Sequence, residues 1–176
     1  EFKAIGTSDY IGGLIDNIKV ELKTLNYEFL DQTSTGGHDV ICAGDGHDQV
    51  YGMFGNDTID AGKGNDLVYA GAGDDKVVGG DGDDQLYGES GKDVIDGGKG
   101  NDLIFGGEGD DVLKGGDGAD KIWGEGGNDE IRGGAGNDEL NGSAGNDKMF
   151  GDDGDDIMYS EGGDDEMNGG NGNDQM

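Results

Sequence analysis

Aspartate recurs every nine residues through most of this chain, at Asp39, Asp48, Asp57, Asp66, Asp75, Asp84, Asp93, Asp102, Asp111, Asp120, Asp129, Asp138, Asp147, Asp156, Asp165 and Asp174. The step holds for sixteen cycles without insertion or deletion. Two residues before each aspartate stands a glycine, from Gly37 to Gly172. Two residues after each stands an aliphatic side chain or methionine, from Ile41 through Ile95 and Ile122 to Met176. Carboxylates at a fixed step in glycine-rich loops supply the oxygen ligands that a hard divalent cation takes. A fixed period held this long is also the pattern of a solenoid.

The elements that must position these carboxylates follow from the same frame. The three residues centred on the aliphatic position read as a short strand with its middle side chain inward, by the period-two rule. The six residues before them read as a turn, in which glycine permits positive φ and close approach of backbone to an ion. One repeat is then half a coil, and eighteen residues close a full coil with a strand on each side. Successive coils stack at about 4.8 Å, so about eight coils span roughly 38 Å. The core reduces to two thin rows. One is Val50, Val68, Leu86, Ile104, Ile122, Leu140, Met158 and Met176; the other is Ile41, Ile59, Val77, Ile95, Leu113, Ile131, Met149 and Met167. Each buried aliphatic side chain contributes about 1.5–3 kcal/mol. Ordering each residue costs about 1–2 kcal/mol, so this core alone does not fold the chain.

Written out, the frame is Gly-Gly-x-Gly-(Asn/Asp)-Asp-x-aliphatic-x, seen cleanly in Gly97-Gly98-Lys99-Gly100-Asn101-Asp102-Leu103-Ile104-Phe105. Over residues 34–176 the chain resembles the repeats-in-toxin (RTX) family of secreted bacterial proteins, whose nonapeptide binds calcium in a parallel β-helix. The resemblance implies an all-β, right-handed parallel β-roll. It also implies Ca²⁺ as the bound group, export through type I secretion machinery, and folding outside the cell.

In an extended turn alternate carbonyls point to opposite sides, so an ion between stacked loops collects oxygens from both, plus the repeat carboxylate. That matches the six to eight oxygens Ca²⁺ prefers, and Mg²⁺ fits less well. The expected ligands are the sixteen aspartates with carbonyls of Gly46, Gly64, Gly73, Gly82, Gly100, Gly109, Gly118, Gly136, Asn65, Asn101 and Asn137. Two edges with seven gaps each give about 14 ions. Their charge of about +28 nearly cancels the chain's -30.

Composition supports the same dependence. Gly makes up 42 of 176 residues, Pro is absent, and 31% of the chain is apolar. Low hydrophobicity with high net charge is the composition of disorder unless something neutralises the charge. So acidic a surface excludes a nucleic-acid partner. No apolar run is long enough for a membrane helix. One cysteine, Cys42, forms no internal disulfide. The chain opens on Glu1 without methionine or signal peptide and stops in an aliphatic slot, which reads as a segment of a larger protein.

Departures from the frame mark weaker sites. Ser34-Thr35 replace the leading glycines of the first repeat, and Met53-Phe54 replace Gly-x in the third. Lys92 and Ala119 occupy Asn/Asp slots; Lys92 brings a positive charge near the ion. Glu89, Glu125, Asp152 and Glu161 replace the second glycine, either adding ligands or straining the loop. His38 and His47 lie nine residues apart, hence on opposite edges facing solvent, which argues against a zinc pair. Gly71-Ala72-Gly73 precedes no helix, so it is no phosphate loop. The nine-residue period excludes an EF-hand. No reactive Ser or Cys accompanies a placed His, so no enzyme activity is expected of this segment.

One outward row is aromatic: Tyr51, Tyr69, Tyr87, Phe105 and Trp123, followed by Asn141 and Tyr159. It reads as stacking between neighbouring strands or as a docking face for a protein or glycan. The second reading would make this a segment of an adhesin or surface-layer protein. A non-catalytic part of a secreted hydrolase or epimerase is a further alternative. Residues 1–33 leave the frame. Ile18–Leu22 and Leu25, Tyr27, Phe29 alternate like two short strands, which would cap the array or link it to a preceding domain.

Overall fold

The computed structural model describes residues 19–21, 29–30 and 37–176. These residues form strands and turns only, arranged as two parallel sheets wound from one chain. The first sheet has nine strands: β1 (Lys19–Glu21), β3 (Val40–Asp45), β5 (Thr58–Lys63), β7 (Lys76–Asp81), β9 (Val94–Lys99), β11 (Val112–Asp117), β13 (Glu130–Ala135), β15 (Lys148–Asp153) and β17 (Glu166–Asn171). The second has eight: β2 (Phe29–Leu30), β4 (Gln49–Phe54), β6 (Leu67–Ala72), β8 (Gln85–Ser90), β10 (Leu103–Glu108), β12 (Lys121–Gly126), β14 (Glu139–Asn141) and β16 (Ile157–Tyr159). Consecutive strands alternate between sheets, and from β3 onward paired residues are eighteen apart, as in Ile41↔Ile59 and Ile104↔Ile122. The result is a β-solenoid of about seven coils, and beyond β17 one isolated bridge, Ile157↔Gln175, continues the second sheet.

The division of the nonapeptide differs from the sequence expectation. Most strands are six residues long, not three, because they run on through the first three residues of the following repeat. The turn shrinks to the three residues Gly-Asx-Asp. The leading glycines stay in the parallel ladder, as Gly44↔Gly62 and Gly98↔Gly116 show, even though their φ is positive.

Extended backbone now runs from the aspartate to the next repeat's first glycine, so period two puts three positions on the inward side. They are the aspartate, the aliphatic residue two later, and the first residue of the next repeat. The aliphatic rows from Ile41 and Val50 to Met149 and Met158 are at most 2% exposed. Ala43, Ala61 and Ala70 fill first positions beside them. Met167 is half-buried and Met176 is exposed, because no strand among the described residues stacks beyond theirs. At the other end β1 pairs with β3 and β2 with β4. Ile18, Leu22, Leu25 and Tyr27, expected to share those strands, lie outside the described residues.

Candidate metal centre

The repeat aspartates from Asp39 to Asp156 are 4% exposed or less, and Asp165 and Asp174 are half-buried. Each carboxylate has two different surroundings. Its Oδ1 accepts the backbone N–H of the aspartate one coil back: Asp84 N–H donates to Asp102 at 2.9 Å, and Asp93 N–H to Asp111 at 2.8 Å. The same rung recurs from Asp57 to Asp174. Asp39 lacks it, and neither of its oxygens has a partner. From Asp57 through Asp156, Oδ2 is buried without a hydrogen-bond partner at every repeat. A buried unpaired carboxylate oxygen costs far more than it returns unless a cation or proton meets it.

At most repeats these oxygens lie beneath a first-position glycine, whose missing side chain leaves a hollow, while Ala43, Ala61 and Ala70 take that position ahead of Asp48, Asp66 and Asp75. A Cβ on Gly79 would lie 2.5 Å from Asp84 Oδ2 and 2.6 Å from the carbonyl oxygen of Gly97 one coil on. Gly106 repeats this with Asp111 Oδ2 at 2.5 Å and the Gly124 carbonyl at 2.9 Å. The first-position glycine thus clears a space lined by a carboxylate oxygen and a carbonyl from the next coil.

Electrostatics follow from burial. Desolvation pushes Asp75, Asp84, Asp93 and Asp111 up to about 6, and Asp102, Asp129 and Asp138 up to about 7. The backbone N–H on Oδ1 pulls each down, and neighbouring carboxylates push each further up. Asp57, Asp66, Asp120, Asp147 and Asp156 are raised for the same leading reason. Without a cation this row resists full ionisation.

A family model, the RTX calcium-binding nonapeptide repeat (4 copies), matches residues 33–68, 43–77, 69–104, 105–140 and 141–176. The chain belongs to the RTX calcium-binding repeat family. It is a calcium-binding structural repeat module, and Ca²⁺ is its bound group. No curated protein matches the chain.

The RTX array fits calcium by its donor set. Among the described residues no three His, Cys, Asp or Glu side chains converge. One orphan carboxylate oxygen per turn, with carbonyls around it, is a hard all-oxygen environment that suits Ca²⁺ and not a thiophilic metal. The eight glycines expected to offer carbonyls all have positive φ, from 121° at Gly64 to 150° at Gly46. Their N–H groups bond the coil ahead, as Gly100 does to the Asp117 carbonyl at 2.8 Å. A Cβ at Gly100 would collide with the carbonyl oxygen of Gly82.

Asn65, Asn101 and Asn137 are exposed, and their Oδ1 atoms accept the backbone N–H of Asp83, Ala119 and Asp155 at 3.2, 3.0 and 2.9 Å. Their side chains therefore serve the backbone of the next coil. His38 and His47 do the same with Nδ1, which accepts from Asn56 and Asn65 at 2.8 and 2.7 Å. Sequence reasoning missed this role of the Asn/Asp slot. It also missed the burial of the aspartates, although an aspartate two residues before an inward aliphatic was signal enough.

Proposed function

We propose that this RTX segment is a calcium-dependent folding module of a secreted protein. The family resemblance adds export by type I secretion, with the chain unfolded in a low-calcium interior and ordered outside. The observation that carries the reading is the file of buried, partnerless Oδ2 atoms from Asp57 to Asp156. In the proposed sites each Oδ2 and the turn carbonyls beside it hold the ion. Calcium when bound supplies the positive charge that these oxygens lack. An ion that binds the stacked turns and not the open chain turns binding energy into folding energy.

In this reading residues 34–176 are the array and residues 1–33 its cap or linker. The pairing of β1 and β2 onto the first coil supports a cap. The segment itself is non-catalytic. Both histidines in the described residues spend Nδ1 on the backbone, which supports that view. The adhesin reading rests on the aromatic row. There the ring faces are stacked on one another at 4.8–5.2 Å and not offered to a ligand, which favours the folding module.

The test compares two aspartates by calcium titration, following far-UV circular dichroism. Asp102 bonds the coil before it, while Asp39 does not. Asp102→Ala is expected to raise the calcium midpoint more than Asp39→Ala. Equal midpoints would argue against ions held between successive coils.

A further inference from the structure

The two edges of the roll are built differently. Turns ending at Asp48, Asp66, Asp84 and onward through Asp102 and Asp120 follow first-sheet strands; call these the Asp102 edge. Turns ending at Asp57, Asp75, Asp93 and onward through Asp111 and Asp129 follow second-sheet strands; call these the Asp111 edge. Ahead of the Asp102 edge, the second repeat position is glycine from Gly44 through Gly134, and Asp152 is its one exception among the described strands. Ahead of the Asp111 edge it is glycine only at Gly71 and Gly107, and otherwise Met53, Glu89, Glu125, Ser143 and Glu161, at φ of 79°, 76°, 73°, 68° and 58°. These are L residues held in the left-handed region, where glycine would sit without strain.

Two further observations fall on the same edge. The second-sheet strands that lead into it shorten from six residues in β12 to three in β14 and β16, leaving isolated bridges at Ala144. And Lys92, in the Asn/Asp slot, places its ammonium 2.6 Å from Asp110 Oδ2, within the row of turns that should hold cations. The acidic replacements do not offset this along the whole edge. The Glu161 carboxylate accepts a hydrogen bond from Asn141 Nδ2 at 3.0 Å. On the Asp102 edge the slots without Asn or Asp are His47 and Ala119, and no lysine stands there.

We propose that the two edges hold calcium unequally: the Asp102 edge fills first and sets the threshold for folding, and the Asp111 edge fills after it. This rests on the reading that the buried repeat carboxylates hold the ion. Coil closure then begins along the glycine-regular edge, and the second row of ions consolidates a stack already formed.

Asp102 and Asp111 give a matched pair. Both lie mid-array in repeats that obey the frame, both are 2% exposed or less, and both have an orphan Oδ2. Each is replaced by alanine in the full chain. Calcium titrations then record the folding midpoint by circular dichroism and the number of ions bound by calorimetry. Asp102→Ala should raise the midpoint about fivefold or more, and Asp111→Ala less than about twofold, with fewer ions bound in both. Equal midpoint shifts, or a larger one for Asp111→Ala, overturn the inequality while leaving calcium binding at these carboxylates intact. No change in midpoint or ion count for either variant sinks the underlying reading, and this inference with it. Lys92→Asn serves if an alanine variant does not fold. It should raise the ion count or tighten the later phase, and an unchanged titration would count against the proposal.

Discussion

A repeat aspartate satisfies one oxygen by a rung from the previous coil and leaves the other for a cation. Without metal, the only other neutraliser is a proton. Asp75, Asp84, Asp93 and Asp111 titrate near 6 in the fold and Asp102, Asp129 and Asp138 near 7, against an ordinary value of 3.8. The folded state therefore binds more protons than the open chain between those values. That contribution to stability is complete below about pH 4 and lost as pH rises through 6 to 7. In chelator, strand signal is expected to grow as pH falls from about 8 to about 5, and the calcium midpoint is expected to rise over the same range because ions and protons compete. Strand loss on acidification in chelator would contradict this.

Glycine is tested at the same scale. Gly100 has φ of 121° and its Cβ would strike the Gly82 carbonyl, whereas a Cβ on Gly126 meets only the flexible Glu108 carboxylate at 3.4 Å. In calcium, Gly100→Ala should cost on the order of 2 kcal/mol or more by urea unfolding, and Gly126→Ala about 0.5 kcal/mol or less. Similar costs for the two would refute the carbonyl clash.

Strands stack through side-chain files as well as backbone bonds. Tyr51, Tyr69, Tyr87, Phe105 and Trp123 form four successive stacked pairs with interplanar angles of 6–14°. A favourable aromatic pair adds about 0.5–1.5 kcal/mol beyond its burial. The double variant Tyr87→Ser, Phe105→Ser breaks three pairs and should lower stability in calcium by about 2–4 kcal/mol. Intact stability with lost self-association or glycan binding would make the row a docking face instead. The Lys63–Asp45 and Lys99–Asp81 pairs are exposed, so their contribution is small.

The sequence showed the eighteen-residue coil, the two aliphatic rows and the aromatic file, because each follows from a period. It did not show six-residue strands, since Gly-Gly reads as turn chemistry until a neighbouring coil draws it into a ladder. It did not show what the Asn/Asp slot does, because that role exists only between residues eighteen apart. Nor did the resemblance distinguish the two edges: the replacements at Glu89 and Glu125 were visible, but not the second-sheet placement that groups them.

For the whole molecule, the balance is between a thin core and a net charge of -30. The aliphatic rows close the inside of each coil, and the buried carboxylates oppose that closure until they are neutralised. The module is therefore expected to be a calcium switch of modest affinity, on the order of 10⁻⁴–10⁻³ M as in extracellular calcium modules, and cooperative along the stack. Far-UV circular dichroism of the 176-residue chain at neutral pH, in chelator, in calcium and in magnesium at equal concentration, tests this most directly. Strand signal in calcium alone is the predicted result. A chelated sample with the spectrum of the calcium form would contradict the account.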